Sequence, residues 1–184
     1  LQTTLLLEEF SENPYLANFY KDQEKYALSL ELSLLLERHQ QLMGLAAIQL
    51  LLESPCVSDY YFIKSLLFAN INLPEDQYLI FKKVFELITD KLPAPDLIVY
   101  LQRPVALLKQ SIVKRGRAYE IDITAAYLAT IQNAYLTYFK TLKNQQVLLL
   151  NIGELDFENK KEDYKKISSL INKSYPMGIT ELNL

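Results

Sequence analysis

The chain has 184 residues and a mass of 21.3 kDa; half its residues are apolar and 22% are charged, which excludes a disordered or fibrous chain and suits one globular domain. A net charge of -3 and a pI near 5.3 exclude the basic surface needed to wrap a nucleic acid, yet leave phosphate chemistry open, because a compact anion needs only a few local cations. A single cysteine, Cys56, excludes an internal disulfide, a single histidine, His39, excludes the usual zinc clusters, and no apolar run is long enough to span a bilayer.

Residues 5–7 are a short apolar run ended by Glu8 and Glu9, which predicts a buried strand whose carboxyl end carries acids. Asn13-Pro14 marks a turn or helix start, and 23–52, rich in Leu, Glu, Ala and Gln, predicts one long helix or two, with Gly44 as the expected break. Pro55 closes that region, and 56–59 reads as a second short strand ending in Asp59. Residues 62–69 predict a helix, 70–74 a connector, and 75–92 a helix stopped by Pro93-Ala94-Pro95-Asp96. The continuous apolar run 97–101 predicts a strand, 104–113 a helix, and 114–117 a basic loop, Lys114-Arg115-Gly116-Arg117. A helix over 124–142 follows, with Asp122 as its expected cap, then a strand over 146–151, a loop bearing Asp156-Phe157, a helix over 160–171, and a small strand or tail over 177–184.

Strands that alternate with helices and are apolar throughout predict an α/β fold, a parallel sheet covered by helices on both faces. In such a sheet, ligands sit beyond the carboxyl ends of the strands, where Glu8, Asp59 and the loop after Leu101 are expected to converge. No internal repeat or linker interrupts the pattern, so a single domain over 1–184 is expected. The first residues carry no basic segment followed by an apolar core and a cleavage site, so a cytoplasmic location is expected.

Five motifs in order carry a family resemblance: residues 8–16 with Glu8 and Asn13-Pro14, then Phe19-Tyr20, Glu37-Arg38, Pro95-Asp96 leading into 97–101, and Arg115-Gly116-Arg117-Ala118-Tyr119-Glu120. This series resembles the bacterial deoxynucleoside kinases, those for deoxyadenosine and deoxyguanosine, from Leu5 to about Phe157. It is most similar to the form fused to a pterin pyrophosphokinase of folate synthesis, which implies a fused folate-pathway kinase domain as partner. Members of the family have a P-loop nucleoside kinase-like three-layer fold that opens with a strand and a glycine-rich phosphate loop. The four glycines here, at 44, 116, 153 and 178, open no such loop, so the expectation is a domain incomplete at its N-terminus.

The resemblance implies ATP-dependent transfer of the γ-phosphoryl group to the 5'-hydroxyl of a deoxynucleoside, a purine, for nucleotide salvage. Glu8 matches the general base, and Arg115 and Arg117 match lid arginines that neutralise charge on the phosphoryl oxygens. Tyr20 and Glu120 match residues holding the sugar 3'-hydroxyl. Glu31, where many relatives carry glutamine, and Arg38 match the nucleobase contacts; they lie seven apart, hence about two turns along one helix face. A carboxylate there could take the amine of adenine, or the amine and ring N–H of guanine.

Asp59 matches the first acid of an Asp-Arg-Ser element, where it could position magnesium or its waters or be structural, but Tyr60 replaces the arginine. That arginine's electrostatic task falls to Lys64, to a lid arginine, or to none. Asp156 and Phe157 match the loop that contacts the adenine of ATP, with Phe157 equally readable as a core ring. Magnesium is expected to come with ATP, and the long helices suit either a homodimer interface or a larger monomer core. His39 reads as a helix side chain facing solvent or a partner. Two other readings stay open: a non-catalytic nucleoside-binding or structural domain of a fused protein, and a nucleoside monophosphate kinase.

Overall fold

The computed structural model describes residues 3–8, 13–52, 55–90 and 92–184, with the backbone alone at 47–52 and 118. Leu1, Gln2 and the motif residues Glu9, Phe10, Ser11 and Glu12 lie outside the described residues. The chain divides into two compact units, Leu1–Ala94 and Pro95–Leu184.

The first unit is built around α2 (Gln23–Leu52), on which α1 (Leu16–Lys21), α3 (Lys64–Asn72) and α4 (Glu75–Thr89) pack. Its buried positions Ala27, Leu30, Glu31, Leu35, Arg38 and Leu45 recur at helical spacing and form one stripe. Two members of that stripe are ionisable, which singles them out in an otherwise apolar series. The helix runs through Gly44 without the expected break; the intrinsic cost of a helical glycine, about 1 kcal/mol, is small beside the packing of a 30-residue helix. On α4, Phe81 and Phe85 point inward four residues apart, and Phe85 stacks on Phe62 with centroids 5.1 Å apart.

Strands β1 (Thr4–Leu6) and β2 (Cys56–Ser58) pair in parallel, Leu5 opposite Val57. The expectation of a buried first strand is corrected here: Leu5 and Val57, which share a face as register partners, are 65% and 56% exposed. Alternation along a strand sends successive side chains to opposite faces, and only the other face of this pair is covered. Helix α3 also outruns its expected range, because Asn70, Ile71 and Asn72 continue it into what reads as a connector.

The second unit carries a three-stranded parallel sheet in the order β3 (Leu97–Gln102), β4 (Gln146–Asn151), β5 (Gly178–Asn183). The central position of β4 explains its uninterrupted apolar run: Val147, Leu148, Leu149 and Leu150 are all buried, between two neighbours and two covered faces. Leu148, Leu150, Ile152 and Ile167 form the core, the last supplied by α7 (Lys161–Ile171). Tyr100 of β3 meets Tyr135 and Phe139 of α6 (Ala125–Phe139) at 5.4 and 5.3 Å between centroids. Thr124, not the expected Asp122, caps α6: its hydroxyl accepts from the Tyr127 amide at 3.1 Å.

The fold is therefore α/β with parallel strands flanked by helices, as expected, but the described strands form two sheets where one was anticipated. Among the described residues no helix is long and apolar enough to cross a membrane.

Candidate functional site

In the first unit, Glu8 lies two residues past the last residue of β1, on the carboxyl side of the strand. Three groups hold it there. Asp59, just past the end of the paired strand β2, accepts the Glu8 amide on Oδ1 at 2.9 Å, and its own amide donates to the Leu6 carbonyl at 3.2 Å. Arg38 on α2 grips Glu8 Oε1 through Nε at 2.7 Å and Nη2 at 2.6 Å. Lys64 Nζ reaches the other oxygen, Oε2, at 2.5 Å.

The Glu8 side chain is only 9% exposed. Burial pushes its pKa up, but the charges and hydrogen bonds of Lys64 and Arg38 outweigh that and hold it below the ordinary carboxylate range. Glu8 is thus a carboxylate at neutral pH, oriented on both oxygens. Lys64 is the first residue of α3, where a cation lies against the helix dipole; the Glu8 carboxylate supplies the compensating charge.

Arg38 is 4% exposed, and its Nη1 donates to the buried Ser65 hydroxyl at 2.8 Å. Its described side-chain partners are the acid and a serine, so Arg38, the residue matched to a nucleobase contact, ties α2 to Glu8 and α3. Tyr60, which replaces the motif arginine, is buried and donates from its hydroxyl to Gln41 Oε1 at 2.9 Å; burial raises its pKa to about 12. It brings no charge to Glu8; together with Arg38, Lys64 supplies the positive charge beside the acid.

Seven residues before Arg38, Glu31 is 2% exposed. Its Oε1 accepts from Asn72 Nδ2 at 2.7 Å, while Oε2 is buried without a hydrogen-bond partner among the described residues. Asn13 anchors the turn after the first strand, donating to Ser33 at 2.5 Å and to Glu37 at 3.0 Å on α2 and accepting from the Tyr15 amide at 3.0 Å. Tyr20 lies on α1 with its ring edge against Phe19, centroids 5.3 Å apart.

In the second unit, α5 (Val105–Arg115) ends at Gly116, whose φ of 71° is the left-handed cap that glycine takes without strain. That turn, followed by the 3-10 turn Ala118–Glu120, folds the basic loop back on itself. Arg115 donates to Glu120 Oε2 from Nε at 3.0 Å and Nη2 at 2.6 Å, and Arg117 donates to Oε1 at 3.3 Å. Glu120, matched to a sugar contact, is buried and holds both arginines.

Asp156 makes an Asx-type turn, accepting from the Asn159 amide at 3.3 Å and side chain at 2.9 Å, which lowers its pKa. Phe157 packs against the β4 core and also lines a pocket of about 230 Å3 with Leu101, Tyr164 and Ile171. Arg103 pins the loop after β4, donating to the Gly153 carbonyl at 3.0 Å and the Leu155 carbonyl at 2.9 Å. Sequence reasoning singled out neither Arg103 nor Ser65 and Asn72; only proximity in space marks them. Among the described residues no group of three or more His, Cys, Asp or Glu is placed to hold a metal ion.

The deoxynucleoside kinase family model matches residues 3–175. The deoxyguanosine kinase of Bacillus subtilis (strain 168) is 31% identical over 169 residues, which cover 90% of this chain and 82% of that protein. Among solved structures, deoxyadenosine kinase from M. mycoides with bound dATP shares the fold with a TM-score of 0.76 at 20% identity, covering 93% of this chain and 87% of that one. The same kinase with bound dCTP gives a TM-score of 0.74 at 19% identity, covering 94% and 99%.

Proposed function

The chain belongs to the deoxynucleoside kinase family and is an enzyme of the phosphotransferase class; on that premise we propose that it carries the γ-phosphoryl group of ATP to the 5'-hydroxyl of a purine deoxynucleoside, in nucleotide salvage. The observation that supports this most directly is Glu8, a largely buried carboxylate kept ionised just past the end of β1 by Arg38 and Lys64.

In this reading Glu8 accepts the hydrogen bond of the 5'-hydroxyl and aligns its oxygen with the phosphorus. The bond from that oxygen to phosphorus forms as the bond to the β-phosphate oxygen breaks, with the electron pair leaving on ADP and the hydroxyl proton passing to the Glu8 carboxylate. An acid held below its ordinary pKa is a weak base, which suits a loose transition state in which the nucleophile's proton departs late. Lys64 keeps Glu8 charged and takes the electrostatic task left by Tyr60. Asp59 positions Glu8 through its backbone amide.

Arg115 and Arg117 neutralise charge on the phosphoryl oxygens, held ready by Glu120. Magnesium, arriving with ATP, supplies further charge neutralisation at the phosphates. Tyr20 holds the sugar, and Asp156 and Phe157 the adenine of ATP. Leu79, Ile80 and Leu87 on α4 and Leu36 and Met43 on α2, all exposed, support a homodimer.

The test is an assay of the full polypeptide with ATP and magnesium against deoxyadenosine, deoxyguanosine, deoxycytidine and thymidine. Formation of a purine 5'-monophosphate, abolished in a still-folded Glu8→Gln variant, is expected. Binding of nucleoside without turnover by the unmutated protein would overturn the reading in favour of a non-catalytic domain.

A further inference from the structure

Glu31 differs from the other buried acids by having one oxygen satisfied and one not. Asn72 Nδ2 donates to Oε1 at 2.7 Å, and Oε2 is buried with no hydrogen-bond partner among the described residues. A buried acceptor left bare is costly, so such an atom points to a group supplied from outside the chain. Glu31 and Arg38 are seven residues apart on α2, roughly 10 Å along the axis. Because Arg38 grips Glu8, that rise is of the order of a nucleoside's span from its 5'-oxygen to the outer edge of its base.

Burial pushes the pKa of Glu31 up to about 7; the Asn72 hydrogen bond and the charges of Arg38 and Lys64 pull it down, and Glu8 adds to the rise. These groups reach it from α2, α3 and the end of β1. The two other helices packed on α2 bring mainly rings inward: Phe19 of α1, whose titratable side chains are Tyr20 and Lys21, and Phe81 and Phe85 of α4, whose titratable side chains are Glu75, Asp76, Tyr78, Lys82, Lys83 and Glu86. Near neutrality the group is therefore balanced between two chemically different readers.

Asn72 requires Oε1 to accept in both forms, so the proton, when present, belongs on Oε2. As a carboxylate, Glu31 offers two acceptors, which match the adjacent N1–H and N2–H donors of guanine. As a neutral acid it offers an acceptor and a donor, which match N6–H and N1 of adenine.

We propose that Glu31 selects the purine by its protonation state, binding guanine as the carboxylate and adenine as the acid. This rests on the reading of Glu8 as the end of the site where the 5'-hydroxyl reacts, because that places the base two helical turns away.

The experiment measures affinity for deoxyguanosine and deoxyadenosine by calorimetry, and kcat/KM for both, at about pH 6 and about pH 8, either side of the Glu31 midpoint. The deoxyguanosine to deoxyadenosine ratio is expected to rise at least roughly tenfold across that interval, as the carboxylate fraction grows and the acid fraction shrinks. Glu31→Gln, which presents one fixed acceptor and one fixed donor, is expected to flatten the ratio and favour deoxyadenosine at both pH values. An affinity ratio that does not move with pH in the unmutated protein, or moves equally in Glu31→Gln, overturns the proposal. Calorimetry needs no turnover: a pH-dependent affinity ratio without product would overturn the kinase reading and leave the selector standing, whereas a flat ratio with full turnover would do the reverse.

Discussion

Lys64 Nζ lies 2.5 Å from Glu8 Oε2, so the second cation on this acid, beside Arg38, comes from the first turn of α3 and not from the residue after Asp59. Lys64→Ala is expected to lower kcat by roughly 10- to 100-fold, the range for loss of one electrostatic contact near the reacting atoms, with little change in KM for the nucleoside. Removing the charge also removes a cause that lowers the Glu8 pKa, so the acid limb of the pH–rate profile should move to higher pH. Steady-state kinetics across pH on Lys64→Ala and Lys64→Arg check both statements. An unchanged acid limb in the alanine variant would show that Lys64 does not act on Glu8.

Asp59 holds the Glu8 amide through Oδ1, a contact an asparagine oxygen can also make. Asp59→Asn should therefore keep most of the activity, while Asp59→Ala should lose it together with some stability. A severe loss in the asparagine variant, with folding intact, would mean that the charge of Asp59 is needed, as for placing magnesium.

Arg38 is buried against Glu8 and Ser65, so its removal strands a largely buried carboxylate with one remaining cation. Arg38→Met should destabilise the protein by about 3 kcal/mol at pH 7, seen as a lowered denaturation midpoint. A near-neutral effect would show that Lys64 alone satisfies Glu8.

The raised pKa of Glu31 carries a stability consequence of definite sign. Its folded value, about 7, lies above its unfolded value of 4.5, so the neutral acid is favoured on folding. The associated stability is complete below about pH 4.5 and is lost as the pH rises through about 7, a loss on the order of 3 kcal/mol. Glu31→Gln should hence raise Tm at about pH 8, by several degrees, and change it little at about pH 5. Thermal melts of the nucleoside-free protein at the two pH values decide this.

Gly116 caps α5 in the left-handed region with no described atom within 4 Å of where a side chain would begin, so the cost of a substitution there is conformational. Gly116→Ala should cost about 1–2 kcal/mol and loosen Arg115 and Arg117 from Glu120. The check is a reduced denaturation midpoint together with a fall in kcat.

Much of this protein was legible before any coordinates. The apolar run at 147–150 has the composition of a central parallel strand, because a strand covered on both faces has no side for polar residues. The stripe on α2, the glycine after Arg115 and the acid at the end of β1 follow equally from local rules of spacing, capping and strand polarity. Tertiary structure decided what those rules do not reach. Hydrogen-bond partners 27 to 56 residues apart, such as Arg38 with Ser65 and Lys64 with Glu8, leave no periodic trace in the chain. The same holds for Glu31, whose place on a helix is local but whose burial, partner and shifted pKa depend on Asn72, 41 residues away. Local sequence determines which face a residue occupies; only the packing of one element on another determines what that face meets, and the chemistry follows from the meeting.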